Sequence, residues 1–219
     1  NASACSGKPD SRESRDISTM PIDDDTSVSA LVSDSMIPCP ICQAPAAFAY
    51  DHPDASIFRC GDCRHAFTYL ESVDSLETYD ASYYDATHKN WFENPNLPLF
   101  RWIAEIIAPN AESVIDVGCG RGDFLRYMKD RRPGLAFCGV DLSDNENEPG
   151  IEFIRGDILT TPLNQKFDVV VSLGTIEHVP DISAFTSRLA GLCAPGGQVI
   201  VMTMNEGGVV YTAARLAKR

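Results

Sequence analysis

The chain has 219 residues, of which 44% are hydrophobic and 22% are charged, and its formal net charge at pH 7 is −13. This length and composition suit one soluble α/β domain with a small appendage. No apolar run is long enough to span a bilayer, and a nucleic-acid partner would require a basic surface, so we expect neither a membrane nor a nucleic acid as partner.

Residues 1–35 differ in composition from the rest of the chain. Polar residues dominate, Asp23, Asp24 and Asp25 form an acidic run, and few large apolar side chains are present. Such a segment cannot bury enough apolar surface to offset the loss of chain entropy. We therefore expect a disordered tail over residues 1–35.

Two C-x2-C pairs follow the tail: Cys39 with Cys42, and Cys60 with Cys63. This spacing is typical of zinc sites in which two tight turns direct four thiolates at one ion, and a closed shell of four ligands indicates a structural zinc. The sequence thus predicts a zinc-ribbon-like module over residues 36–70. Disulfides and a redox C-x-x-C are the less favoured alternatives, and we expect His65 to be a neighbour of the site.

Residues 71–96 are expected to link this module to the main domain. Several aromatic side chains and one histidine occur in and just before this segment, at Tyr69, Tyr79, Tyr83, Tyr84, His88, Trp91 and Phe92. They could form a lid over a binding pocket, but packing between the two units is the favoured interpretation. A helix follows, whose apolar residues recur at helical spacing on one face at Leu97, Phe100, Ile103, Ile106 and Ile107.

The glycine-rich stretch at 114–122 is the most informative part of the sequence. An apolar run ends at Asp116-Val117, and Gly118, Gly120 and Gly122 follow on alternate positions before helix-compatible sequence. This order predicts a buried strand, a tight turn and a helix start with backbone N–H groups open to a ligand. The Asp before the turn would disfavour an anionic pyrophosphate and favour a cationic ligand.

Two further predicted strands end near acids. Strand two ends at Asp141, where a carboxylate can accept both hydroxyls of a ribose, as in dinucleotide-binding folds. Strand three precedes Gly156-Asp157. Each acid also has an ordinary structural alternative, Asp141 as a cap at the strand end and Asp157 as a turn residue.

The last elements complete the prediction of a parallel sheet. Strand four covers residues 167–173, and we expect Asp168 at its start to be structural. Asp181 is a suitable N-cap for a helix with Ile182, Phe185, Leu189 and Leu192 on one face. Strand five is predicted over residues 198–204, apolar at nearly every position, as in a strand covered on both faces.

The order and intervals of these motifs resemble the class I S-adenosylmethionine-dependent methyltransferases. The stretch from Asp116 to Gly122 is similar to the first motif of that family, and residues 174–179 (G-T-I-E-H-V) to the motif after strand four. The resemblance covers about residues 97–204. It implies an α/β fold with a Rossmann-like doubly wound sheet, S-adenosylmethionine as cofactor and methyl transfer to a small-molecule acceptor.

The resemblance also implies which residues form the site. Asp157 would accept from the adenine amino group, and His178, at the rim of the cleft, is the candidate general base, with local packing as its alternative role. The implied cofactor-binding set is Asp116, Gly118, Cys119, Gly120, Asp141, Leu142, Asp157, Ile158 and Ser172.

A zinc module ahead of such a domain is similar to a bacterial subgroup that includes methyltransferases of sugars and natural-product intermediates. We therefore expect an acceptor of that kind, and a cytoplasmic enzyme. In the subgroup the second zinc turn often continues with Cys-Gly, whereas this chain has Cys63-Arg64. A zinc-dependent rRNA methyltransferase, which the acidic charge opposes, and a non-catalytic cofactor-binding assembly module are the other functions that stay open.

The family sheet has seven strands, of which five are visible in residues 97–219. We therefore expect the C-terminal strands to be missing and the methyltransferase domain to be truncated. Strand five would then be an exposed apolar edge, and such edges recruit other chains. The sequence thus predicts self-association through strand five.

Overall fold

The computed structural model describes residues 36–52, 55–68, 94–145, 148–205, 208–209, 213 and 216–217. The predicted tail and the aromatic residues of the predicted linker lie outside these residues. The described residues form two separate sheets, a small antiparallel one near the N-terminus and a larger parallel one. No helix in the described part of the chain combines the length and the apolar character that crossing a membrane requires.

The small sheet has four antiparallel strands in the order β1-β2-β3-β4. Its strands are β1 (Ile37–Pro38), β2 (Pro45–His52), β3 (Ala55–Cys60) and β4 (Ala66–Thr68). Phe58 is fully buried and contacts the rings of Phe48 and Phe67, so three aromatic side chains form most of a minimal core. Each cysteine pair lies in one of two turns, β1–β2 or β3–β4.

The large sheet is parallel, with strand order β7-β6-β5-β8-β9. Its strands are β5 (Ser113–Val117), β6 (Ala136–Asp141), β7 (Ile151–Arg155), β8 (Phe167–Leu173) and β9 (Cys193–Met202), and its helices are α1 (Leu97–Ile106), α2 (Asp123–Arg131) and α3 (Ile182–Leu192). The order changes direction between β5 and β8, which is where open α/β sheets bind ligands. This confirms the predicted Rossmann-like fold.

Alternate residues of the central strands face two separate cores. Val114 of β5 packs with α1 and α2, whereas Ile115 and Val117 pack with α3. The helices contribute Phe100, Ile103, Phe124, Leu125 and Met128 to the first core and Phe185, Leu189 and Leu192 to the second. Burial on both faces explains why β5 and β8 read as continuous apolar runs.

Two details differ from the prediction. Leu97 and Ile106, predicted on the buried face of α1, are 51% and 38% exposed, because the helix contacts the sheet along a narrower stripe centred on Ile103. Strand β9 ends at Met202 rather than 204, and it is not covered on both faces. Val199 and Val201 are 44% and 40% exposed.

Asp168 fixes the alignment of β5 and β8. Its Oδ2 accepts hydrogen bonds from the backbone N–H groups of Glu112 and Ser113 and from Ser113 Oγ, at 2.8–3.0 Å. Ser113 Oγ in turn accepts from Asp168 N. These bonds, first of all the one from Glu112, lower the pKa of Asp168. They hold the two strand starts level, so the carboxyl ends are also aligned.

Candidate functional site

A cavity of about 430 Å³ opens at the carboxyl ends of β5, β6 and β8. The glycine turn after β5 forms one wall, and the end of β6 and the loop after β7 form another. The short helical turn Ile176–His178 lies at the rim. Eight of the nine predicted cofactor residues line this cavity: Asp116, Gly118, Cys119, Gly120, Asp141, Leu142, Asp157 and Ile158.

The glycine turn needs its glycines for two reasons. Gly118, Gly120 and Gly122 have φ of 75°, 52° and 80°, which is the left-handed region that other residues rarely adopt. A Cβ on Gly118 would also lie 2.1 Å from Oγ1 of Thr175. The turn is thus packed against the loop after β8 with no space for a side chain, and its backbone faces the cavity.

Asp141 links the end of β6 to the glycine turn. Its Oδ2 accepts from Gly120 N at 2.8 Å, and its Oδ1 accepts from the N–H and the hydroxyl of Ser143 at 2.9 and 2.7 Å. The carboxylate therefore holds the turn in place while it lines the cavity. A ligand with vicinal hydroxyls would meet an acceptor whose orientation is already fixed.

Asp116 is a buried carboxyl without a complete set of partners. It is 2% exposed, and its Oδ1 has no hydrogen-bond partner among the described residues. Burial, and then the charge of Asp141, raise its pKa to about 8. A buried carboxyl oxygen of this kind beside a cavity is available to a ligand group. A donor or a cation would suit the ionised form of the carboxyl, and an acceptor its protonated form.

Asp157 forms a local turn at the edge of the cavity. Its Oδ1 accepts from Leu159 N at 2.9 Å, and its carbonyl accepts from the N–H groups of Thr160 and Thr161. This is the turn role that the sequence left open, and it also orients the carboxylate toward the cavity that it lines.

Ser172 does not line the cavity, unlike the rest of the predicted set. It is fully buried, and its hydroxyl donates to the carbonyl of Val117 at 3.0 Å. This bond supports the glycine turn from behind. Cys119 does line the cavity, but burial raises the pKa of its thiol well above the usual value, with Asp116 and Asp141 adding to the shift. Its thiol therefore stays protonated.

The rim carries the candidate base. His178 and Glu177 are both exposed and both line the cavity. Glu177 Oε2 accepts a hydrogen bond from Thr203 Oγ1 at 3.0 Å, which joins the rim to the residue after β9. Thus Thr203 orients the carboxylate of Glu177, the residue that precedes His178 in the chain.

The sequence did not identify the apolar part of the cavity. The first turn of α1 contributes Leu99 and Phe100, and the end of β9 contributes Met202, followed by Met204. Helical periodicity assigned Phe100 to the core, and it does pack there, 9% exposed. One sequence signal for this part of the cavity was Asn96. Its side chain accepts from Leu99 N, caps α1 and so fixes where the helix begins.

The four predicted zinc ligands come together in the small sheet. Their Sγ atoms all lie within 4.8 Å of one another, with 3.6 Å between Cys39 and Cys63 and 3.4 Å between Cys42 and Cys60. All four thiols are free. Four sulfurs at about 2.3 Å from one zinc would lie about 3.8 Å apart, so the cluster fits a tetrahedral ion after small adjustments. His65 is not a member, and its ring stacks on Phe67.

The two cysteine turns have the same backbone conformation. The residue after each pair, Gln43 or Arg64, has a left-handed φ of 61° or 63°. The N–H of Ile41 donates to Cys39 Sγ, and that of Cys63 donates to Cys60 Sγ. Arg64 therefore adopts the conformation that glycine would take at this position.

A family model described as a methyltransferase domain matches residues 91–218. The ubiquinone biosynthesis O-methyltransferases of Stutzerimonas stutzeri (strain A1501) and Pseudomonas entomophila (strain L48) are 33% and 31% identical over an alignment of 125 residues. Each alignment covers 52% of this chain and 53% of the relative. The chain thus spans about half the length of the curated relatives it matches.

Among solved structures, the plantazolicin methyltransferase BpumL, in complex with a pentazolic desmethylPZN analog and SAH, is similar in fold. The TM-score is 0.52 and the sequence identity is 17%, and the superposition covers 64% of this chain and 60% of the BpumL chain. The family model accounts for more than half of the chain, and the strand order and the glycine turn agree with it. The chain belongs to the family of S-adenosylmethionine-dependent methyltransferase domains.

Proposed function

We propose that this chain transfers the methyl group of S-adenosylmethionine to a hydroxyl group of a small molecule. The observation that supports this proposal most strongly is that three features meet in one cavity: the glycine turn, the fixed carboxylate of Asp141 and the buried carboxyl of Asp116. Oδ1 of Asp116 has no hydrogen-bond partner among the described residues. The relatives named as O-methyltransferases support oxygen as the accepting atom.

The residues present fit this cofactor. Asp141 would accept from the ribose, Asp157 and the backbone at Ile158 would meet the adenine, and Asp116 would face the cationic part beside Gly118. The cofactor supplies a methyl group that is already activated, so the chain mainly has to hold donor and acceptor in line and exclude water.

The apolar wall favours an acceptor with an apolar body. Leu99, Phe100, Met202 and Met204 line the part of the cavity near α1 and β9, and such surfaces bind aromatic or aliphatic groups. An intermediate of natural-product synthesis fits this wall better than an unsubstituted sugar. His178 would take the hydroxyl proton, and Glu177, oriented by Thr203, would stabilise the resulting imidazolium.

Transfer of a labelled methyl group to a panel of phenols, sugars and sugar-bearing natural products tests this function. We expect label in hydroxylated compounds with an apolar body. His178→Ala should lower kcat by about 10²–10⁴-fold while cofactor affinity stays close to that of the wild type. Label in ribosomal RNA would favour the rRNA methyltransferase, and binding without transfer to any acceptor would favour the non-catalytic module.

The small sheet is proposed to hold one structural zinc ion on Cys39, Cys42, Cys60 and Cys63. Four thiolates leave no open position on the ion, so its contribution is to folding rather than catalysis. Reduced zinc-bound thiols are typical of reducing compartments, which supports a cytoplasmic location.

Metal analysis and hydrogen exchange test the zinc site. We expect about one zinc per chain, as four thiolates complete one shell. Cys60→Ser should lose the ion and the exchange protection of β2 and β3, whereas β5 and β8 stay protected. Cys193→Ser is the matched control, because this thiol lies outside the cluster. Disulfides in the native chain would contradict the proposal.

A further inference from the structure

The three acids at the cavity wall differ in how completely they are partnered. Asp141 accepts hydrogen bonds from Gly120 N and from the N–H and hydroxyl of Ser143, and Asp157 accepts one from Leu159 N. Asp116 is the most deeply placed, at the fourth position of β5, and its Oδ1 has no partner among the described residues. A buried ionised carboxylate in this state would be costly, whereas a protonated carboxyl is tolerable.

The surroundings of Asp116 contain more negative than positive groups. Strand β5 has no other titratable side chain, β6 contributes Asp141, and the glycine turn contributes the thiol of Cys119. The other titratable groups that line the cavity are Arg121, Asp123, Asp157, Glu177 and His178. Burial and Asp141 together raise the pKa of Asp116 to about 8, so in the empty cavity at pH 7 the carboxyl holds a proton.

A methyl donor and its product differ by one charge. Transfer breaks the bond from sulfur to the methyl carbon and forms the bond from that carbon to the acceptor oxygen. The sulfonium becomes a neutral thioether, and the proton of the acceptor hydroxyl is released. A positive charge brought close to a buried carboxyl favours its ionised form, and loss of that charge favours its protonated form.

We propose that Asp116 makes the cavity selective for the charged donor over the neutral product, by releasing its proton when the donor binds and regaining one from solvent when the product leaves. This inference rests on the proposed function. Asp116 would thereby weaken product binding after each turnover. In this role it is a specificity-determining residue that does not touch the transferred proton of the acceptor.

Calorimetric titration in two buffers with different ionisation enthalpies measures the proton release directly. The probes are S-adenosylmethionine, S-adenosylhomocysteine and sinefungin, in which an amine-bearing carbon replaces the sulfonium. At pH 7 we expect about 0.8 proton released per donor bound and a similar value for sinefungin. The product should release far less.

The pH dependence gives a second readout. Between pH 6 and pH 7.5 donor affinity should rise roughly tenfold, because the proton that must leave Asp116 is already lost in a larger fraction of molecules. Product affinity should change much less over that range.

Asp116→Asn keeps the shape of the side chain but cannot ionise. We expect it to abolish the proton release and to reduce the preference for donor over product by about tenfold. Asp144→Asn, at a 78% exposed carboxylate outside the cavity, is the matched control and should behave as wild type. If the Asn variant does not fold, the wild-type titrations decide alone.

The outcomes separate this inference from the proposed function. Equal proton release by donor and product, or none by either while both bind, would overturn the role of Asp116 and leave the methyltransferase proposal intact. Failure of all three probes to bind would overturn both.

Discussion

Asp116, Asp141 and Asp157 are three carboxyl groups in one cavity with different hydrogen-bond environments. Asp141 is held by the glycine turn and Ser143, and Asp157 by its own turn. Asp116 is buried, and one of its oxygens has no partner within the described part of the chain. Their roles follow from these environments. Asp141 and Asp157 are oriented in advance for ligand donors, and Asp116 is the group whose charge depends on the ligand.

The raised pKa of Asp116 predicts a pH-dependent stability of the empty protein. Between about pH 4 and pH 8 the folded chain keeps a proton here that the unfolded chain has lost, since the pKa changes from 3.8 to about 8 on folding. The free energy of unfolding must therefore fall as pH rises through this window. In Asp116→Asn this loss is absent. The Tm of the variant minus the Tm of the wild type should therefore increase by about 5 °C or more from pH 5 to pH 8.

Thermal unfolding followed by circular dichroism, without cofactor, checks this. The growth of the Tm difference with pH is the test, because an amide in place of the carboxyl adds an offset that does not depend on pH. Asp144→Asn should show no such growth. A Tm difference that stays constant from pH 5 to pH 8 would contradict the assignment of the proton to Asp116.

The left-handed backbone at Arg64 gives a second prediction at the residue scale. Left-handed conformation costs a residue with a Cβ about 1 kcal/mol, and glycine avoids that cost. Arg64→Gly should therefore raise zinc affinity by up to about fivefold, measured by chelator competition. Asp62→Gly, in the same turn but without a left-handed φ, should lower it or leave it unchanged. A lower affinity for Arg64→Gly would show that the arginine side chain stabilises the turn.

At the scale of elements, the site depends on how β5 and β8 are aligned. Asp168 and Ser113 exchange hydrogen bonds at the starts of these strands, and Thr175 packs against Gly118 at their ends. Gln198 of β9 links this strand to the end of α1. Its side chain donates to the carbonyl of Ile106, the last residue of α1, and accepts from the N–H of Ala108 just beyond the helix. These polar contacts position the helix and the strands that form the cavity.

Asp168→Ala should destabilise the large sheet. It leaves the N–H groups of Glu112 and Ser113 without their acceptor, and we expect Tm at pH 7 to fall by about 3–6 °C. Because hydrogen bonding lowers the pKa of Asp168, its stabilisation is present at neutral pH and is lost as pH falls through that lowered value. The wild type and the variant should therefore converge in acid.

Asp130→Ala, at an exposed acid on α2, is the control for this comparison. It should leave Tm at pH 7 close to that of the wild type. Equal Tm values for Asp168→Ala and the wild type at pH 7 would contradict the strand-alignment role.

The sequence predicted strand identity, helix starts and the glycine turn because each has a local cause. The apolar runs of β5 and β8, the Asp181 cap and the left-handed glycines are all determined by residues close in sequence. The position of Ser172 behind the turn and the contribution of α1 to the cavity were not predictable in this way. The position of Ser172 depends on its contact with Val117, 55 residues earlier in the chain. The contribution of α1 depends on how far the start of that helix extends beyond the sheet.

At the scale of the whole molecule, β9 is the edge strand of the described sheet. Ile200 packs against the first core, while the side chains of Val199 and Val201 on the other face are 44% and 40% exposed to solvent. Neighbouring chains can add to an edge of this kind. Self-association through β9 therefore stays a prediction for this 219-residue chain.

Light scattering over a concentration series tests it. We expect the wild-type chain to gain mass with concentration, and Val199→Lys with Val201→Lys to remain monomeric, because charge on an exposed edge opposes strand addition. Ile41→Lys, at another exposed apolar side chain that lies in the small sheet's first cysteine turn, is the control and should associate as wild type does. A monomeric wild type at all concentrations would end this interpretation.

Calorimetric titration with S-adenosylmethionine measures whether the cavity at the ends of β5, β6 and β8 binds the methyl donor. We predict one site per chain, a large loss of affinity in Asp141→Ala, and no loss in Asp144→Ala, whose carboxylate follows the same strand but lies outside the cavity. The absence of binding by the wild type, or equal affinity of wild type and Asp141→Ala, would contradict the account.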